Sequence, residues 1–509
     1  MAKTEGIRAP GEIPASSLEG SAAGVLLGSG VAIASALGVR VAMARFLAPD
    51  DLGAVLLAIA VTSFAGIVAS CGLRSASARR IAERLALGRS EEAESAARTA
   101  IGAALATGLA AGLLIPFLPR LGLGRLGELS SSVIAGTAPA ALGLSLGMAM
   151  WGISQGRGDT RGRALFRDAG GSALRLAGVV AAAGLLSGAP ARFALGWGVG
   201  SLLGDLSFVA YGTRRGWLRR SLPASARIDR GLLRSLPPFL GLTLINQAAT
   251  WLDIVLLGAL APLAAVGVYG AAQGLGRVLG QVSDSASHRF LPLASAAVAA
   301  RDEAGLAAGY RRSRQLAFAY LWPILGPCLL CPQALVRVAF GAHYEVAGSA
   351  LRWLAAGWLA RSVAGYTEEA LVARGRASQV FAITLGSTLA TAALFFLWVP
   401  RQGALGAAIA VAAGQALRGA AGIARFDRPL RRAVLAPVDF ARLLGAAAPA
   451  LAVALGFAAW PTPLPPWLVL GGVVIAALSA ALGPAAVALR AVLSGARRRR
   501  TGRPEDRPV

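Results

Sequence analysis

The sequence predicts an all-α polytopic membrane protein of about 14 transmembrane helices, arranged as two six-helix lobes plus two C-terminal helices. Three observations carry this. Hydrophobic blocks of about 20 residues recur along nearly the whole chain, enough to cross a bilayer core at 1.5 Å rise per residue. Arginines fill every second gap between the blocks. A short motif recurs six blocks apart.

Of 509 residues, 56% are hydrophobic, and the mean hydropathy is +0.62. Backbone groups cannot stay unpaired in lipid, so helix is the default conformation for such blocks. The 64 glycines suit close packing between membrane helices. The net charge is +25. It comes almost wholly from arginine, because Lys3 is the only lysine. In loops beside spans this charge points to cytoplasmic retention and anionic lipid rather than nucleic acid. Walker A loops and Schiff-base sites need a lysine within the fold, so an ATP-driven cycle in this chain is not expected. The N-terminal segment holds Pro10 and Pro14 and no small-residue cleavage site, so no removable signal peptide is expected.

In order, the predicted spans cover 21–44, 53–73, 97–118, 131–153, 169–188 and 193–212 in a first lobe, 21–212. A second lobe, 236–423, holds 236–260, 263–284, 316–340, 347–372, 379–399 and 403–423. Two extra spans follow at 440–460 and 466–488, within 440–488. Residues 1–20 form an N-terminal tail, 213–235 a basic linker, 424–439 a basic loop and 489–509 a basic tail. Arginines crowd the gaps after even-numbered spans, as at Arg74 to Arg98 and Arg214 to Arg234, and are sparse after odd ones. The positive-inside rule then places both termini in the cytoplasm. The Arg74–Arg98 and Arg214–Arg234 segments read equally as interfacial helices or as solvated loops.

The repeat is Leu47-Ala48-Pro49 before Gly53, and Leu260-Ala261-Pro262 before Gly267. It suggests duplicated halves, the usual build of secondary transporters, with a site between them.

Intramembrane polar residues are costly and mark sites or partners. Asn246, Thr250 and Asp253 share one helical face. Gln273, Arg277, Gln281, Asp284 and His288 form a continuous stripe. Arg361 and Glu368 lie seven apart, with Glu369 adjacent, and Arg40 stands alone in the first span. The cavity candidates are therefore Arg40, Arg277, Arg361, Asn246, Gln273 and Gln281. Asp253, Glu368 and Glu369 are candidates for ion coupling or for ion pairing. Arg175, Asp205 and Arg418 fall near span ends, where long side chains snorkel. Cys328 and Cys331 read as buried small residues; no metal or other cofactor is expected. Asp50 and Asp51 read as a helix N-cap after Pro49.

Several segments resemble the oligosaccharide flippases of the multidrug/oligosaccharidyl-lipid/polysaccharide exporter superfamily. They are Ala44 through Gly53, Cys71-Gly72-Leu73 with Arg79-Arg80, Asp253 through Gly258, Val266 through Tyr269, Phe340 through Tyr344, and Gly403 through Ala410. The resemblance covers about residues 20 to 425. It implies a V-shaped bundle around a central cavity and translocation of polyprenyl-pyrophosphate-linked oligosaccharide across the bacterial cytoplasmic (inner) membrane by alternating access. It implies a place in cell-surface polysaccharide biosynthesis such as lipopolysaccharide O-antigen. The lipid-linked glycan, membrane lipids, a polysaccharide polymerase and glycosyltransferases are the implied partners, with no nucleic acid. Arg40, Arg277 and Arg361 would offset desolvation of the anionic head group. The alternatives are a multidrug or small-molecule exporter of the same superfamily, or a polytopic glycosyltransferase or polymerase. Short external loops weigh against an enzyme.

Overall fold

The computed structural model describes residues 15–121, 127–185, 189–218, 228–427 and 431. Every regular element among these residues is helical. The first half comprises α1 (Ala15–Phe46), α2 (Pro49–Ala69), α3 (Leu73–Ala86), α4 (Ser90–Leu114), α5 (Ser131–Thr137), α6 (Pro139–Gly156), the short α7 (Thr160–Gly162), α8 (Gly171–Leu185) and α9 (Pro190–Arg214). A 3-10 turn, Ile115–Leu121, ends α4, and a π-helical stretch, Arg163–Gly170, leads into α8. The second half comprises α10 (Arg230–Arg234), α11 (Leu236–Leu260), α12 (Leu263–Ala299), α13 (Glu303–Leu330), α14 (Pro332–Phe340), α15 (Ala347–Ala364), α16 (Thr367–Ala373) and α17 (Ala377–Ala424). The expected spans at 440–460 and 466–488, and the basic tail, lie outside the described residues.

Among the described residues, five helical segments are long and apolar enough to cross a membrane: Pro49–Ala86, Ser90–Arg120, Ser131–Gly156, Pro190–Arg214 and Ala377–Ala424. The fold is that of an all-α polytopic membrane protein.

Local chemistry explains most boundaries. Pro49 occupies the first turn of α2, where its missing N–H costs nothing. Asp50 and Asp51 follow in that turn and favour the positive end of the helix dipole. Neither carboxylate plays the expected capping role: Ala48 is the N-cap, and no side chain caps this end. Asp302 and Asp229, by contrast, cap α13 and α10 by accepting from Gly305 N and Leu232 N. Gly72 turns the chain between α2 and α3 at φ +76, and a side chain there would strike the Phe239 backbone.

The Arg74–Arg98 region is helical rather than a solvated loop, formed by α3 and the start of α4. α3 buries Leu73, Ala76, Ser77 and Ile81, and Gly152 of α6 lies directly on the Arg74 carbonyl and the Ser77 hydroxyl. α17 is a hairpin rather than a rod. Its chain reverses at Gly403 (φ +54), and Gly406 and Gly414 fold back onto the Trp398 carbonyl and Thr391. The expected span over 347–372 is split: α15 stops at Gly365 (φ +72) and α16 begins anew.

Small residues set the helix spacing. Gly178 of α8 and Gly196 of α9 each present a Cα to the other's carbonyl. The largest buried core runs through both halves and joins Leu52, Leu56 and Leu57 of α2 to Leu257 of α11 and Val266, Tyr269 and Leu275 of α12. Tyr344 donates to the Leu47 carbonyl at 2.8 Å, and Arg45 Nε donates to the Ala339 carbonyl at 3.1 Å. Gly403 sits 3.6 Å from the Ala265 side chain in the same region. Four segments that carried the sequence resemblance thus converge at one end of the bundle.

Candidate functional site

A cavity of about 650 Å³ opens between α11, α12, α15 and α17. Its polar wall is built from two helical faces joined at the short Ala261–Pro262 turn. From α12 come Tyr269, Gln273, Arg277 and Gln281, spaced four residues apart and so stacked along one face. From α11 come Gln247, Thr250 and Asp253.

Asp253 is held on three sides. It accepts from the Tyr269 hydroxyl at 2.8 Å, from the side-chain amide of Gln273, and from its neighbour Ile254 N at 2.8 Å. Gln273 uses its other atom, Oε1, to accept from Arg40 Nη2 at 3.0 Å. Arg40 also donates to the Gly270 carbonyl, and its stem lies over Gly274, where a Cβ would come within 2.9 Å of it. Arg40 therefore reaches α12 from α1 and does not line this cavity; Gln273 links it to Asp253, which does.

Arg277 stacks over Trp251, 4.5 Å from the ring centroid, and donates to the Thr250 carbonyl at 3.1 Å. The stack holds the guanidinium while leaving donors for a ligand.

Arg361 and Arg418 supply two further cations at the cavity wall. Glu368 joins them. It accepts from Arg418 in a two-pronged pair at 2.6 and 2.7 Å, and from Arg361 at 3.2 Å. The sequence reading put Arg361 and Glu368 on one helical face. They occupy different helices, and the break at Gly365 folds Glu368 back against Arg361.

The other expectations fall as follows. Gln273 and Gln281 line the cavity. Glu369 lies near Tyr310, away from the cavity lining. The side chains of Asn246, Asp284 and His288 lie outside the described residues. Arg418 does not snorkel to an interface; it lines the cavity. Asp205 is buried within the first half, packed against Gly147 of α6, and Arg175 there donates to the Gly171 carbonyl and the Ser172 hydroxyl. Cys328 is buried, and no trio of potential metal ligands occurs among the described residues.

Sequence reasoning missed the facing wall. Thr384, Ser387, Thr388 and Thr391 of α17 line the cavity as a row of hydroxyls. Their spacing of three, one and three marks one helical face, a signal present in the sequence. Ser387 and Thr391 donate to the Thr384 and Ser387 carbonyls at 3.0 and 2.8 Å, which leaves their oxygens as acceptors. The cavity lining thus includes three guanidiniums and one carboxylate, together with the neutral hydroxyls of the first arm of α17.

A family model described as polysaccharide biosynthesis protein matches residues 20–287. No curated protein matches the chain significantly. Among solved structures, the chain is similar to the lipid II flippase MurJ in an inward closed conformation, with TM-score 0.67, 13% identity, and coverage of 92% of this chain and 99% of that one. It is similar to a multidrug resistance MATE family transporter of the MOP superfamily in an inward-facing conformation, with TM-score 0.63, 17% identity, and coverage of 83% and 98%. A MOP superfamily transporter from Pyrococcus furiosus, described by the reverse polarity of its binding pocket, aligns with TM-score 0.55, 18% identity, and coverage of 82% and 96%. At these identities the likeness concerns the fold. The match over more than half of the sequence concerns the family: this chain belongs to the polysaccharide biosynthesis protein family and has the transporter fold of the MOP superfamily.

Proposed function

We propose that this protein is a flippase for lipid-linked oligosaccharide, carrying a polyprenyl-pyrophosphate glycan across the bacterial cytoplasmic membrane by alternating access. The observation that carries this reading is the cavity's charge. Arg277, Arg361 and Arg418 line one space with Asp253 as the lining carboxylate, and Glu368 ties two of the three together.

A pyrophosphate head group loses its hydration on entering a membrane protein, and guanidinium groups replace water through forked donors. The hydroxyl row of α17 and the amides of Gln273 and Gln281 suit sugar hydroxyls, which need both donors and acceptors. The lipid tail stays in the bilayer while the head group occupies the cavity. Both termini lie in the cytoplasm, following the arginine-rich gaps. The glycan is supplied by glycosyltransferases and consumed by a polymerase in polysaccharide synthesis, including O-antigen assembly for lipopolysaccharide. A multidrug exporter of cationic compounds would want the opposite charge balance in this space.

The test is reconstitution into vesicles containing a fluorescently labelled polyprenyl-pyrophosphate oligosaccharide, with appearance in the opposite leaflet as the readout. Arg277→Gln is expected to cut translocation at least tenfold. Wild-type protein that leaves the labelled lipid in its starting leaflet would overturn the assignment.

A further inference from the structure

A second cationic site lies in the first half, apart from the cavity just described. Trp151 stands near the end of α6. Three guanidiniums surround its ring: Arg74 at 3.5 Å, Arg167 at 4.1 Å and Arg163 at 4.3 Å from the centroid. They come from two separate segments, the first turn of α3 and the π-helical stretch before α8. The fold therefore gathers them. Three like charges within contact of one ring repel one another, and a single indole face does not neutralise them.

Acidic neighbours account for only two of the three. Asp168 stands 3.1 Å from Arg163, and Asp205 and Asp168 are the carboxylates whose charge acts on Arg167, which also points at the Met148 sulfur at 3.4 Å. Arg74 has neither. Among the described residues it donates no hydrogen bond, and the ionised groups beside it are the guanidiniums of Arg163 and Arg167. The Arg163 side chain reaches the protein surface, 42% exposed. The site sits where α2 has already ended and α6 is ending, far along both helices from Pro49 and Pro139.

We propose that Arg74, Arg163 and Arg167, assembled on Trp151, form a binding site for a phosphate or pyrophosphate anion in the first half of the protein. Forked guanidinium donors match phosphate oxygens, and the indole fixes their positions. The anion comes either from a lipid head group or from free solution. The proposal rests on the flippase reading only for the lipid source; here it would be the first stop of the head group before the cavity.

The experiment measures equilibrium binding to the purified full-length chain in two arms: radiolabelled inorganic pyrophosphate in detergent, and polyprenyl pyrophosphate in phosphatidylcholine nanodiscs. Wild type, Arg74→Gln, Arg163→Gln, Trp151→Phe and Arg277→Gln are compared, with melting profiles confirming folding. Arg163→Gln, the more exposed position, substitutes for any Arg74 variant that fails to fold. One binding component is expected to weaken at least tenfold in Arg74→Gln and Arg163→Gln, to persist in Trp151→Phe, and to be untouched in Arg277→Gln. Its presence in the nanodisc arm alone assigns the lipid head group; its presence in both arms assigns the phosphate group itself. Binding that survives Arg74→Gln and Arg163→Gln, or the absence of binding in both arms, overturns the site. Loss confined to Arg277→Gln overturns it while leaving the flippase reading intact.

Discussion

Gly53 and Gly267 pack against each other's helices in a reciprocal arrangement. A Cβ built on Gly53 would lie 1.8 Å from the Leu263 carbonyl oxygen, and one on Gly267 would lie 2.0 Å from the Pro49 carbonyl oxygen. Pro49 and Leu263 are the first residues of α2 and α12, and each lies four residues before its own glycine. The two copies of the repeated motif therefore touch one another across a local pseudo-twofold axis. This contact joins the two halves at the end where Tyr344 bonds Leu47.

The closeness makes a direct prediction. The atoms in the way are backbone carbonyls, which cannot rotate aside. Gly53→Ala and Gly267→Ala should each cost about 1–3 kcal/mol, the range for forced overpacking. Each change separates the same two helices, so the double variant should cost less than the sum. Thermal unfolding in detergent measures all three. Full additivity would mean that the two glycines do not share one contact.

Much of this was legible in the sequence, and for a physical reason. Apolar block length and a duplicated turn report the bilayer and the contact between Gly53 and Gly267, because each follows from solvation or from chain reversal. The polar stripe on α12 was legible because helical periodicity survives any tertiary arrangement. The partners were not. Gly365 breaks the helix that was expected to carry Arg361 and Glu368 together, yet the same turn restores their contact. Arg418 looked like a span-end cation because its carboxylate partner lies 50 residues away in sequence. The Trp151 cluster joins residues from separate segments, which no linear pattern displays.

The Arg361–Glu368–Arg418 triad should fail asymmetrically. Glu368→Gln leaves two guanidiniums facing each other at a largely buried wall. Removing one side of such a pair costs roughly 2–4 kcal/mol, at or below the range for fully buried pairs because these groups keep some exposure. Arg361→Gln leaves the stronger two-pronged pair intact and should cost less than Arg418→Gln. Melting temperatures of the three variants give the order. A Glu368→Gln protein as stable as wild type would show that the two cations do not depend on that carboxylate.

The segment joining the halves is latched by Asp229. Its carboxylate pairs with Arg80 Nε at 3.0 Å and caps α10, and its backbone N donates to the Thr99 hydroxyl at 2.9 Å. Partial burial pushes this carboxyl up, but the Arg80 pair and the Leu232 N–H outweigh burial and hold it below its ordinary value. A carboxyl with a lower pKa folded than unfolded stabilises the fold above the unfolded value, about 3.9, and loses that contribution as pH falls through the folded value. Stability should therefore drop on acidification below about pH 4 in part through this group. Asp229→Asn should be less stable than wild type at neutral pH, and the gap should close as pH falls. A gap that stays constant from pH 7 to pH 3 would sink this account.

Arg40 and Asp253 lie on different helices in different halves, and Gln273 couples them. The amide of Gln273 accepts from Arg40 through Oε1 and donates to Asp253 through Nε2, so its orientation is fixed by both neighbours at once. The Tyr269 hydroxyl and the Gln273 amide both donate to one carboxylate oxygen, Oδ2, while Oδ1 accepts from Ile254 N. In Asp253→Asn a carbonyl oxygen placed at Oδ2 still accepts from both side chains but carries no charge, and the new amino group faces the Ile254 N–H. The weaker hold on Gln273 Nε2 loosens the amide whose oxygen accepts from Arg40, so the disturbance reaches a cation that Asp253 does not touch. Asp253→Asn should cost about 1–3 kcal/mol, as for a buried donor left unmatched. A double-mutant cycle with Arg40→Gln should show a coupling of at least ~0.5 kcal/mol, and the same cycle in a Gln273→Leu background should show none. Coupling that persists without the amide would mean that Arg40 and Asp253 communicate by charge alone; no coupling in either background would mean that α1 and the cavity respond separately.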